Sequence, residues 1–586
     1  MAYILNLQPS ENFMQKLDLR PEYDIVVIGA GVGGLTTAAL LSKAGFSVCV
    51  LEKEPHAGGY LAGFRRKHFR FDTAIHWLNQ CNPGGMAAKI FDILGSDHPN
   101  AIPQKRIRRY IGESHDYLLT NNPDELKEQW IREFPHEKEG IERFFKAAKK
   151  IGHAFDNFSH FFRTEETMGF FEKMKNKLNL LKFGMAFIPY LGFTGEKGLK
   201  KGLNKFFKEE KLHKVFSSDT ELIGCLVPIG WAYYGDYQSP PKGGGQVIPE
   251  WLKYIIEYYN NHLYFKCQVQ TILVENNQAV GVKFHHRGND YQVKSKYVIA
   301  ACDVETLYNK MLPQNVISQK FRNKLESAEL YSSSVTISIA LDCPTENLGF
   351  NEEFIHISSE FSTQEEHSGG DPHKSEIAIL APSLRDKSLA PEGQGTLTIF
   401  MPAFMNFKNN WLTEQDEHGN YIRNEEYKKL KQDIAEVLIK RVEELVAPGL
   451  RSHILFYDVA TPVTHHRYTG NKNGSMMGAK PGRQNMQNKI AHYQTPIKNL
   501  LLSGHWAELG GGVPIAVKSG ANASLLILQK EKPEAFKVLA NYMDAKVTAE
   551  ELLNSGVFKP YDNSWKQELT PAEKLALRKE QGNINP

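Results

Sequence analysis

One segment near the start restricts the fold more than any other: Tyr23-Asp24-Ile25-Val26-Val27-Ile28-Gly29-Ala30-Gly31-Val32-Gly33-Gly34-Leu35. The apolar run Ile25 to Ile28 reads as a parallel strand buried on both faces. It ends in G-x-G-x-x-G, with Gly29, Gly31 and Gly34 at the three glycine positions. A helix is expected from about Gly33 to Ala44, with Gly45 as its C-terminal stop. A second strand, Ser47 to Leu51, closes on Glu52. In this arrangement Gly29 makes the tight turn, Gly31 lets backbone approach a pyrophosphate, and Gly34 lets helix and strand pack closely. The helix start, at Gly33, offers free N–H groups to the phosphate. Glu52 is placed to accept hydrogen bonds from a ribose diol.

The residues just after the acid decide between dinucleotides. Glu52-Lys53-Glu54-Pro55-His56-Ala57 leads into a glycine pair, Gly58-Gly59, which a nicotinamide dehydrogenase does not need. It resembles the extended motif of FAD-binding amine oxidases and phytoene desaturases, where the second pair passes near the flavin phosphates. The resemblance implies FAD rather than NAD. No second G-x-G-x-x-G follows a strand, and Gly243 to Gly245 has no apolar run before it.

Four further segments resemble one branch of that superfamily, the retinol saturases and carotenoid isomerases. They are Phe69-Arg70-Phe71-Asp72-Thr73-Ala74-Ile75-His76-Trp77, Pro241-Lys242-Gly243-Gly244-Gly245-Gln246, Ala460 to Thr464 with Asn473-Gly474-Ser475, and Leu500 to Gly504 with Gly510 to Pro514 and Ser519-Gly520. Their order covers about residues 23–530. The resemblance implies an α/β fold: a discontinuous Rossmann-like FAD-binding domain of glutathione-reductase or amine-oxidase type, interleaved with an α+β substrate domain. It places Gly29, Gly31, Gly33, Gly34, Glu52, Lys53, Gly58, Gly59, Val269, Gly504 and Val513 along the cofactor. Tyr60 stands where many relatives carry arginine, and His505 where many carry aspartate.

The flavin domain is accordingly expected at 20–80, 238–310 and 455–532, and the substrate domain at 81–237 and 311–454. Val335, Ile337, Ile339 and Leu341 alternate with Thr336, Ser338 and Ala340, the period of a half-buried strand. Ile377 to Leu380 and Leu397 to Met401 read as further strands. Leu430, Ile434, Val437, Leu438 and Leu445 lie at helical spacing, and Asp371 to Ser375 reads as an exposed polar loop. Residues 168–211 stand apart, with ten lysines against four acids, interleaved with Phe170, Phe171, Met174, Leu178, Leu181, Phe187 and other apolar side chains. That composition suits a membrane interface, with lysines toward anionic headgroups; the alternative is a helical cap whose apolar face is core. Residues 533–586 form a C-terminal extension with two capping boxes, Thr548/Glu551 and Thr570/Glu573.

Composition excludes several classes. Net charge is +3, so no global field attracts nucleic acid. Six cysteines without C-x-x-C spacing exclude a disulfide scaffold or four-cysteine zinc site and suit a reducing compartment. No secretory signal precedes Tyr23 and no long apolar run crosses a bilayer. A cytoplasmic protein, peripheral on a membrane, is the expectation.

FAD carries the redox chemistry in such a fold. The resemblance implies action on the double bonds of a lipophilic polyene, by saturation or cis–trans isomerisation, with desaturation or a lipid carrier on a flavoprotein fold as alternatives. The electron partner is open. His76 and Glu508 are the candidate catalytic side chains, with Trp77, His505 and Trp506 near them. The pairs His285-His286 and His465-His466 lack a third ligand at metal spacing and read as surface residues, so no metal is expected.

Overall fold

The computed structural model describes residues 17–158, 163–417 and 419–582. The stretch 1–16, which carries most of the segment read for a secretory signal, lies outside the described residues.

The first sheet grows from the strand Glu22–Ile28, which lies between Val48–Leu51 and Asn289–Ala300, parallel to both. His262–Tyr264 and Leu500–Leu502 add parallel edges. Asn289–Ala300 is one long strand that serves both halves of the sheet. Its first half is antiparallel to Gln278–His286 and its second half joins the parallel sheet. The hairpin before it turns through Asn276 and Asn277, both at positive φ, as a tight two-residue turn requires. Every residue of the first helix, Val32–Lys43, is buried. Small residues and leucines on all sides allow it to lie between the sheet and the helices Val247–Tyr258 and Val513–Glu531.

The second sheet has seven strands in the order Ile454–Ala460, Ser333–Leu341, Gly395–Ala403, Ile377–Leu380, Phe354–Ile357, Arg106–Ile111, Asp116–Thr120. One face carries Val335, Ile337, Ile339, Ile399, Met401, Ile377, Ile379 and Ile355 into a core shared with Leu430, Ile434 and Leu438 of the helix Glu425–Leu445. At ~1.5–3 kcal/mol for each such side chain, this face anchors the domain. The strand Ser333–Leu341 is not half-exposed as its alternation suggests; all nine residues are buried. Its polar side, with Thr336 and Ser338, faces an interior cavity, which the alternation alone does not reveal.

Several boundaries move. Ile454–Ala460 falls in the expected flavin piece 455–532 but pairs with Ser333–Leu341 in the second sheet. Within the expected substrate pieces, Ile90, Phe91 and Leu94 of the helix Met86–Leu94, and Leu312, Ile317 and Leu325, join the first core. So do Leu539, Met543, Leu552 and Phe558 of the C-terminal extension, and Tyr561 and Trp565 pack against the same core. Both predicted capping boxes form, at Thr548/Glu551 and Thr570/Glu573. Leu445 is exposed. Ser375 of the loop read as exposed is buried, and its carbonyl and that of Pro372 accept from Arg441 Nη1.

The lysine-rich segment divides in two. Leu203 and Phe207 enter a helical core with Trp130 and Phe144. The helix Phe170–Met185 has no buried residue. Phe170 is 72% exposed and Phe171 83%, and Met174, Leu178, Leu181, Met185, Ile188 and Leu191 are exposed beside them. Among the described residues no helix is long and apolar enough to cross a membrane. All six cysteines are unpaired.

Candidate active site

The glycine turn is built by close approach. A Cβ at Gly34 would stand 2.3 Å from the Gly29 carbonyl oxygen and 2.9 Å from the Ala301 Cβ, so helix and strand meet only through glycine. At Gly33 the obstacle is Gly504 Cα, 2.7 Å away, where the C-terminal strand ends against the turn. Gly31 differs: an added Cβ would meet nothing within 4 Å. It faces open cavity at the helix N-terminus, where backbone N–H groups favour an anion.

The rest of this end is held by backbone bonds. Glu52 accepts from the Ala30 N–H (2.7 Å, Oε2) and the Glu54 N–H (2.9 Å, Oε1), which fixes the carboxylate and leaves further lone pairs on both oxygens. Gly58 N–H donates to the Ala30 carbonyl (2.8 Å), drawing the glycine pair Gly58-Gly59 across the turn. Lys53 Nζ donates to the Arg467 carbonyl; burial lowers its pKa, against the pull of Glu54 and Glu52. Gly504 N–H donates to Ser519 Oγ (2.7 Å), and Val513 opens the helix Val513–Glu531, whose N-terminus meets the same space. Tyr60 links the glycine pair to the Asn473-Gly474-Ser475 turn, its hydroxyl donating to the Ser475 carbonyl (2.5 Å).

These residues line one cavity of about 2000 Å³. That is more than the ~300–1,000 Å³ of a pocket for one small molecule. Gly29, Gly31, Gly33, Gly34, Glu52, Lys53, Gly58, Gly59, Val269, Gly504, Val513 and His76 all lie on its wall. Glu508 does not. It accepts from Tyr493 (2.5 Å) and pairs with Lys518 (3.0 Å) on the other side of the turn. Its nearness to Gly504 in sequence does not carry it into the cavity, and Trp506, also off the wall, is buried.

Burial holds three of the wall's histidines neutral most strongly. His76 lies 4.8 Å from the Phe400 ring and 5.6 Å from Phe354, with its Nε2 sealed and unpartnered. Burial, reinforced by the Arg385 charge, lowers its pKa to about 4. Burial does the same to His505 and His465, each to about 4. His465 and His466 are not surface residues as expected: both line the cavity, and His465 Nε2 is 3.2 Å from Ser334 Oγ. The helix start at Pro462 turns them inward. Of the other pair, His285 is half-buried and His286 is buried. Among the described residues neither pair belongs to a cluster with metal-binding spacing.

The second sheet supplies the opposite wall, which sequence reasoning missed. Its polar-facing positions are Thr336 and Ser338, Phe400, Ala378, Phe354 and His356, and Arg108, one or two from each successive strand. The one available signal is the Thr336/Ser338 alternation, whose polar side proves to be cavity wall.

Comparison with known proteins agrees with this geometry. Residues 27–94 match the NAD(P)-binding Rossmann-like domain family. The chain is 26% identical over 506 residues to the chloroplastic prolycopene isomerase of Daucus carota, covering 85% of this chain and 79% of that one. It is 25% identical over 567 residues to the all-trans-retinol 13,14-reductase of Danio rerio, covering 88% of each. In fold it is similar to putrescine oxidase in its complex with putrescine, with a TM-score of 0.54 at 12% identity over 87% of this chain and 99% of that one.

Proposed function

We propose that this protein is an FAD-dependent oxidoreductase or isomerase that acts on the double bonds of a lipophilic polyene, by saturation or cis–trans isomerisation. The observation that carries this reading is one continuous cavity with two different ends: a glycine cradle and an aromatic chamber. The residues fit the cofactor. Gly31 leaves room for a pyrophosphate, Glu52 presents a fixed carboxylate to a ribose, and the helix starts at Val32 and Val513 favour anionic oxygens. Bound FAD supplies hydride or electron exchange with a double bond. Trp77, Phe354 and Phe400 give that part of the wall an apolar surface, and His76, neutral at pH 7, is packed between the two phenylalanine rings. The two relatives, by name an isomerase of prolycopene and a reductase of retinol, support the substrate class.

We further propose that the helix Phe170–Met185 rests in the interface of an anionic membrane, from which a water-insoluble polyene is collected. Its exposed phenylalanines and leucines lie among Lys173, Lys175, Lys177 and Lys182, the charge pattern that suits acidic headgroups. The first test is an absorption spectrum of the purified protein with an organic extract beside it, then product mass after turnover. A flavin spectrum and a polyene whose mass rises by two hydrogens, or stays constant with altered geometry, bear the reading out. Loss of two hydrogens makes it a desaturase, and a flavin-free protein carrying unaltered lipid makes it a carrier.

A further inference from the structure

The strand Arg106–Ile111 carries three arginines with different fates. Arg106 is bidentate to Glu353 (2.6 and 3.0 Å) and Arg109 is bidentate to Asp116 (2.7 and 2.5 Å). Arg108, between them, points to the opposite face and into the cavity. Among the described residues no carboxylate lies within ion-pair distance of it. Its guanidinium lies 5.6 Å from the Tyr110 ring centre and 5.7 Å from that of Phe354. Glu376, also on the wall, is occupied by His356 at 3.2 Å. The Tyr237 hydroxyl, within electrostatic reach of Arg108, is buried without a partner.

An interior guanidinium is costly unless a counter-charge and hydrogen bonds meet it. Here the Tyr110 hydroxyl hydrogen-bonds the guanidinium and the carboxylates of Asp219 and Glu376 act on it from a distance, but neither pairs with it directly as Glu353 and Asp116 pair with its neighbours. The position is also specific. Arg108 sits on the sixth of seven strands, and the cavity wall runs to it across the sheet from Ala460 on the first. At ~4.8 Å per strand that separation is about 24 Å. His76 contacts the same Phe354 ring that Arg108 overlies, so the reacting segment and the charged terminus are neighbouring positions along one path.

We infer that the far end of the cavity is a headgroup site, in which Arg108 binds the carboxylate end of an amphipathic polyene, so that the substrate is a polyene acid rather than a pure hydrocarbon. This rests on the polyene reading above. A carboxylate satisfies the fork of the guanidinium and sets which double bond comes to rest beside His76. Arg108 is thus a specificity-determining residue.

The test compares all-trans-retinoic acid with its methyl ester on the full-length, cofactor-loaded protein, read by quenching of tryptophan fluorescence. Trp77 and Trp231 line the cavity and report directly. The acid should bind about 10- to 100-fold more tightly than the ester, the range for charge-assisted hydrogen bonds. Arg108→Leu should erase that advantage, bringing the acid down to the affinity of the ester, and Arg108→Lys should restore part of it. Equal binding of acid and ester by the wild-type protein, or an advantage that survives in Arg108→Leu, overturns the headgroup site and leaves the polyene reading standing. Failure of both probes to bind overturns the two together. The wild-type comparison holds even if Arg108→Leu does not fold.

Discussion

The two sheets present their chemistry in opposite ways. The first uses strand ends. Gly29 to Gly34 follows Glu22–Ile28, Glu52 follows Val48–Leu51, and Gly504 follows Leu500–Leu502, so each functional group sits in a short contiguous stretch. The second uses a face. Arg108, Phe354, Ala378, Phe400 and Thr336 come from five different strands, and no two of them are close enough in sequence to form a motif. Cofactor chemistry that recurs across proteins is written in loops, whereas substrate chemistry particular to one protein is spread over a wall.

That contrast can be broken most severely at two glycines. Gly34→Val should prevent folding, since the 2.3 Å approach leaves no space and overpacking costs about 3 kcal/mol or more. Gly31→Val should fold, because nothing in the protein opposes a side chain there, yet lose the visible flavin spectrum. A folded Gly31→Val with full flavin content would displace the cofactor from this end.

His76 tests the junction of the two ends. His76→Phe fits between Phe354 and Phe400 and should keep flavin while lowering turnover about 100-fold or more, the scale of proton-transfer catalysis. Unchanged turnover would reduce His76 to packing.

The buried histidines give a smaller, pH-dependent effect. His505 has a folded-state pKa of about 4 against the ordinary 6.5, so the unfolded chain binds the proton first. Its stabilising contribution is complete above pH 6.5 and falls by about 1.4 kcal/mol per pH unit as pH drops toward 4. The melting temperature of His505→Gln relative to wild type should therefore rise as pH falls from 7 to about 5. A constant difference would refute the neutral, buried state. Smallest of all should be the effect on turnover of Glu508→Gln, which gives up the ion pair with Lys518 but retains an acceptor for Tyr493 and lies off the cavity wall. A large fall in its turnover would restore Glu508 as a catalytic candidate.

Legibility in the sequence divides along the same line. The strand, glycine turn, first helix and Glu52 are legible because close approach leaves a fixed spacing. The burial of Thr336 and Ser338, the inward turn of His465 and the place of Arg108 are not, because each depends on which surface folds over it. Glu508 shows the converse, since its nearness to Gly504 along the chain does not become nearness to the cavity in space.

The strand Glu22–Ile28 also sets a problem for the ribosome. Its partner Asn289–Ala300 is synthesised roughly 270 residues later, and at ~5–20 residues per second the wait is about a quarter of a minute to a minute. Throughout that interval Ile25-Val26-Val27-Ile28 has only Val48–Leu51 beside it and an open edge on the other side. Newly made chains should therefore depend on holding chaperones until the last strand, Leu500–Leu502, arrives to close the turn.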